Sequence, residues 1–141
     1  MKAYVDTSAL YAVLDADDMQ HHRAEEAWVK MLEDRAHLFT CNYVLVETYS
    51  LLQHRIGMAA VNALHNDVVP ALQVVWVDES AHRRGSSALL AAGRRNLSLV
   101  DCVSFEVMRQ LGLEEVFTLD PHFEEQGFNL IPAPLQCNSE A

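Results

Sequence analysis

Four carboxylates in this chain of 141 residues stand where chemistry could be done: Asp6, Glu47, Asp101 and Asp120. Asp6 ends the apolar run Ala3-Tyr4-Val5 and is followed by Thr7-Ser8. A strand that stops in Asp-Thr-Ser and turns into a helix puts a carboxylate at the carboxyl edge of a sheet, where open α/β folds bind ligands. Asp120 leaves the strand candidate 115–119 in the same way. Asp101 sits in the first turn of the helix that feeds back into that strand, so it lies at the same edge if the strands are parallel. Glu47 falls about five residues into a helix, roughly a turn and a half below the rim at about 1.5 Å per residue.

Each acid also has a plain structural reading. Asp6 is a favoured N-cap type, and Asp120 before Pro121 suits a helix start with proline at its first position. Asp101, three residues after Ser98, resembles a capping box. Glu47 resists this account best, because a carboxylate in an apolar helix is costly unless paired or bound to metal. Four such groups converging would repel one another and raise each other's pKa unless a cation neutralised them. Hard divalent ions with oxygen ligands, Mg2+ or Mn2+, suit that role. Such a centre lowers the pKa of bound water and stabilises a phosphodiester under in-line attack.

The elements that must position these acids follow from periodicity. After the first strand, residues 8–14 read as a short helix, and 21–35 as a second with Ala24, Ala27, Trp28, Met31 and Leu32 on one face. Residues 37–40 read as a strand, and Asn42 as the cap of a helix over 43–55 ended by Gly57. Residues 58–69 read as a helix stopped by Pro70, and the β-branched and aromatic run 72–77 as a buried strand. Asp78 or Ser80 starts a helix ending near Gly93, and Ser98 caps one over 99–111. Strand 115–119, one helical turn after Pro121 and a last strand 128–131 complete the pattern. Alternating strands and helices predict an α/β fold with a central, mainly parallel, twisted sheet of about five strands flanked by helices. We expect one domain over residues 1–131 and a loose C-terminal tail over 132–141.

The bulk composition narrows the class. Half hydrophobic and 21% charged, the chain is not of disordered composition. Three cysteines without a Cys-x-x-Cys pair argue against a disulfide framework or a cysteine zinc site and predict a reducing, cytoplasmic setting. No basic-then-apolar leader and no apolar run of membrane-spanning length is visible, so no membrane partner is expected. A net charge of −10 is unusual for a protein gripping many phosphates, and it fits either a solubilising surface or acids gathered around cations.

The segments Val5-Asp6-Thr7-Ser8-Ala9-Leu10, Val44-Leu45-Val46-Glu47-Thr48, Leu97 to Phe105 and Thr118-Leu119-Asp120-Pro121-His122-Phe123 with Gly127-Phe128 resemble the PIN-domain ribonucleases. Among these they are most similar to the VapC-type toxins of toxin–antitoxin pairs. The resemblance spans residues 1 to about 131, and its strength lies in four motifs in this order at these separations. It implies a PIN-like fold, often a homodimer, and an Mg2+-dependent endoribonuclease with RNA as substrate and an antitoxin protein as partner. It implies that Asp6 and Asp101 are the most direct metal ligands, with Glu47 and Asp120 completing the site through water or a second ion. Ser8 and Thr118 match hydroxyl positions that orient the carboxylates by hydrogen bonds. A free-standing RNA-processing nuclease of the same family and a non-catalytic binding module with the same fold remain alternatives. An aspartyl-phosphate phosphatase fits poorly, since Ser8 stands where its second aspartate belongs.

Other residues carry less. Arg94-Arg95 directly precede the Ser98–Asp101 turn and could hold RNA phosphates; a solvated loop pair is an equal reading. His21 and His22 point about 100° apart on a helix and do not suggest a shared ligand geometry. His122 is a minor candidate to touch substrate. Trp28 and Trp76 read as core, and the stretch 58–72 with the apolar faces of the first helices could offer a groove to a partner helix.

Overall fold

The computed structural model describes residues 1–135. The chain runs β1 (Lys2–Val5), α1 (Thr7–Leu14), α2 (His21–Glu33), β2 (His37–Cys41), α3 (Asn42–Arg55), α4 (Met58–Ala63), β3 (Leu72–Val75), α5 (Glu79–Ala92), α6 (Leu99–Leu111), β4 (Glu115–Phe117), α7 (His122–Glu125) and β5 (Asn129–Ile131). The five strands form one sheet in the order β3-β2-β1-β4-β5. Every neighbouring pair is parallel, so the sheet expected to be mainly parallel is wholly so. From β1 the chain builds outward to β3 on one side, then returns to lay β4 on the other side. That makes the gap between β1 and β4 the topological switch point, with its crevice at the carboxyl ends of the strands.

Helices cover both faces, as an all-parallel sheet requires. One layer packs Leu10, Trp28, Leu52 and Leu64 against Val5 and Phe117 of the sheet. The other packs Val44, Val103, Met108 and Phe123 against Tyr4 and Val116. The middle strand is the most enclosed: Ala3, Tyr4 and Val5 have no exposed surface. Helices α5 and α6 approach closely at Gly85, where an added Cβ would fall 2.5 Å from Val103 Cγ2 and 3.2 Å from its Cα.

Several expectations need correction. The stretch 58–69 is not one helix: α4 gives way to a π-type segment, Leu64–Val68, and a 3-10 turn, Val69–Ala71, ahead of β3. Pro70, which has no N–H to donate, sits in that last turn. In this stretch Ala60, Leu64 and Val68 are buried in the core. The α2 face borders a cavity of about 480 Å3 that is lined also by Ile131, Pro132, Ala133 and Leu135. Strand β3 ends at Val75 and lies at a sheet edge, only half-buried, and Trp76 just beyond it is 75% exposed rather than core. Asn42 does not cap α3; its Oδ1 accepts from Val77 N–H at 2.8 Å and ties the start of α3 to the chain leaving β3. Asp78 and Ser98 cap α5 and α6 as expected. The tail expected over 132–141 is described only to residue 135, and its remainder lies outside the described residues.

Candidate active site

The carboxyl edge gathers the four acids. Asp6, Glu47, Asp101 and Asp120 all line one cavity of about 360 Å3 together with Thr7, Ser8, Tyr11 and Leu119. They arrive from the end of β1, from the second turn of α3, from the first turn of α6 and from the turn after β4. No two are neighbours in sequence, so the cluster exists only because the strand order brings β1 and β4 side by side.

Asp6 occupies the residue before α1 in an extended conformation, yet its side chain makes no capping hydrogen bond. Its Oδ2 instead accepts from Thr118 Oγ1 at 2.8 Å and from Ser8 Oγ at 3.0 Å. These hydroxyls are themselves held: Ser8 Oγ accepts from Leu119 N–H and Thr118 Oγ1 from Asp120 N–H. The neighbouring hydroxyls are engaged elsewhere than in capping α1. Thr7 Oγ1 points to the Val44 carbonyl, and Ser8 is committed to Asp6 and the β4 side. The hydroxyl pair thus binds the ends of β1 and β4 to one carboxylate. Only 4% of Asp6 is exposed. Burial pushes its carboxyl from 3.8 to about 7, with the hydrogen bond from Thr118 opposing and the charge of Asp101 adding.

Asp101 both caps and faces the cavity. Its N–H donates to Ser98 Oγ at 3.1 Å, and its Oδ2 accepts from Ser98 N–H at 3.0 Å, a complete capping box. One carboxylate oxygen is therefore spent on the backbone, leaving the other for the cavity. Asp120 is similar: its Oδ1 accepts from His122 N–H at 2.9 Å and sets the turn into α7. Glu47 is half-buried on α3, whose neighbouring residues Val44, Leu45 and Thr48 are buried. Burial raises both Glu47 and Asp101 above their ordinary values, and the charge of Asp120 raises each further.

This donor set fits a hard divalent cation. Asp6, Glu47 and Asp101, which burial and neighbouring charge push toward the protonated form, are groups whose charge a cation at the same place would stabilise. One donor atom each from Asp101, Asp120 and His122 lies within 4.8 Å of the others. Arg94 Nη1 is 2.9 Å from Glu125 Oε2, an exposed pair outside the cavity lining, and Arg95 is exposed nearby. The cation that does line the cavity is Arg55, two turns below Glu47 on α3, with its guanidinium 5.5 Å from the Tyr11 ring centre. Its spacing of eight from Glu47 was the available signal, since such positions return to the same side of a helix.

The description "PIN domain" belongs to the family model that matches residues 3–129. The 23S rRNA-specific endonuclease VapC20 of Mycobacterium tuberculosis is 32% identical over 126 residues, covering 89% of this chain and 94% of that protein. The crystal structure of VapC20, described as a Sarcin-Ricin loop cleaving toxin, superposes with a TM-score of 0.80 at 30% identity, over 89% of this chain and 95% of that one. FitAcB from Neisseria gonorrhoeae shares the fold at a TM-score of 0.65 and 14% identity, over 92% and 96%. Among the described residues no helix is long and apolar enough to cross a membrane. With a family model spanning most of its length and a relative above 30% identity along nearly all of it, the chain belongs to the PIN-domain family of nucleases.

Proposed function

We propose that this protein is an Mg2+-dependent endoribonuclease, the toxin of a toxin–antitoxin pair, with Asp6, Glu47, Asp101 and Asp120 as its metal and catalytic acids. The observation that carries the reading is the convergence of these four acids on one cavity at the switch point of the sheet. A divalent ion held there, Mg2+ or Mn2+, would supply an acidified water and a counter-charge for the phosphodiester.

The chain's own part is positional. Ser8 and Thr118 hold Asp6 Oδ2, so its Oδ1 is the oxygen left to face the ion. Ser98 fixes Asp101 through Oδ2, leaving Oδ1 to the ion. Glu47, half-buried in the same cavity lining, would complete the site through a water or a second ion. Arg94 and Arg95 remain the basic pair offered for RNA phosphates flanking the cut; Arg94 would have to exchange Glu125 for phosphate.

The likeness to VapC20 supports RNA as substrate and makes 23S rRNA the first to test. It also supports a protein antitoxin as partner. A homodimer is part of the same reading, and exposed apolar side chains at Val46, Trp76 and Leu90 supply surface for such contacts. The test is incubation of purified protein with 23S rRNA and Mg2+. Discrete cleavage, abolished by EDTA and by Asp6→Ala or Asp101→Ala, is the expected result. Cleavage unchanged in both variants would falsify the site assignment, and a protein that binds no Mn2+ would favour a non-catalytic module.

A further inference from the structure

His122 carries a feature that the acidic site alone does not explain. It starts α7, directly after the Asp120-Pro121 turn, with its side chain 14% exposed. Its Nδ1 lies 2.8 Å from Asp120 Oδ1, an ion-pair distance at which no hydrogen bond is formed. Among the described residues that nitrogen is buried with no hydrogen-bond partner. The Asp120 oxygen beside it already accepts the His122 backbone N–H. A buried imidazole nitrogen ordinarily finds a donor or an acceptor, so this one calls for a reason.

The spacing supplies one. Two donors bound side by side to one ion, with bonds of about 2.1 Å at right angles, are about 3 Å apart. The 2.8 Å between Nδ1 and Oδ1 is close to that value, and the contact is not a hydrogen bond. Asp101, whose donor atom lies within 4.8 Å of theirs, is near enough to join them around one ion. We propose that His122 is a nitrogen ligand of the metal centre, sharing an ion with Asp101 and Asp120, and that it biases the centre toward Mn2+ over Mg2+. The bias follows from ligand chemistry: imidazole binds transition-series ions well, whereas Mg2+ keeps oxygen ligands and releases water reluctantly. The proposal deepens the metal-site reading above and rests on it.

The alternative role for His122 is an ion pair that steadies Asp120 without touching metal. Binding experiments separate the two without any RNA. Pulsed electron paramagnetic resonance of the Mn2+-loaded protein should show 14N coupling from a directly bound imidazole, lost in His122→Ala. Titration calorimetry should give about a tenfold weaker Mn2+ affinity in His122→Ala and His122→Asn. Mg2+ affinity should change less than twofold in both. Neither variant removes the backbone N–H that donates to Asp120 Oδ1, and matching circular dichroism would verify the fold. Absent 14N coupling in the Mn2+-loaded wild type, or equal weakening for both ions, would overturn the ligand role while leaving the acidic site standing. Failure of the wild type to bind either ion would overturn both.

Discussion

Replacing Asp6 by asparagine should make the metal-free protein more stable while removing its activity. Asp6 is buried, and its carboxyl is pushed from 3.8 to about 7, chiefly by burial. The folded state therefore holds that proton more tightly than the unfolded chain does. The stabilisation is present in full below the unfolded value and is lost as pH rises toward 7. At about 1.4 kcal/mol per pH unit, the loss is at most about 4 kcal/mol at neutral pH. Asparagine matches the shape, bears no charge, and can still accept from Ser8 and Thr118 through its amide oxygen. Its NH2 gains no assured acceptor, so a net gain of about 2 to 3 kcal/mol is the sober expectation. For a domain of this length that corresponds to a rise in Tm on the order of 10 °C. Thermal melts in EDTA from pH 5 to 8 are the assay. Wild type should lose stability across the range, Asp6→Asn should lose less, and the variant should melt higher at pH 7.5. With saturating Mg2+ the order should narrow or reverse, because a cation stabilises the native carboxylate and has less to bind in the variant. If Asp6→Asn in EDTA melts below wild type at pH 7.5, or falls with the same slope, the account of Asp6 as a strained buried acid is wrong.

Two further outcomes follow from contacts away from the ion itself. Gly85→Ala should cost about 1 to 3 kcal/mol, because its Cβ would meet the Val103 side chain and come within 3.2 Å of its Cα at the α5–α6 crossing; an unchanged Tm would show that the helices part freely. Thr118→Val keeps the volume but takes a donor from Asp6 Oδ2 and an acceptor from Asp120 N–H. It should destabilise by about 1 to 3 kcal/mol and lower kcat more than KM, whereas a pure KM effect would refute its positioning role.

How much could be read in advance depended on range. The Ser98–Asp101 capping box and the strand-Asp-Thr-Ser-helix transition at Asp6 are local patterns, and both appear where the sequence placed them. The parallel sheet followed from the alternation of elements. That Ser8 and Thr118 orient carboxylates came from the family resemblance; that both hold one oxygen of Asp6 was not legible locally, because Thr118 stands 112 residues away and only strand order joins them. Trp76 was misread for a similar reason. An aromatic beside a β-branched run looks like core until the sheet order makes β3 an edge. Asn42 has the right type for a cap, but a tertiary acceptor role toward Val77 won. The unpartnered nitrogen of His122 has no sequence signature at all.

The capping box at Ser98 has a consequence for how fast and how cheaply a ligand can be captured. A carboxylate on a free surface samples several rotamers, and freezing one costs about 0.5 to 1.5 kcal/mol on binding. Asp101 has already given up that freedom to its own helix, since Ser98 N–H grips Oδ2 whether or not anything else is present. The cost of aiming is thus met during folding, when α6 forms, and is not charged again at each encounter. Ser98 is in this sense a latch on a hand held open. Releasing it with Ser98→Gly, which keeps the backbone N–H but not the hydroxyl, would leave Asp101 half-fastened and separate the two roles that one side chain performs.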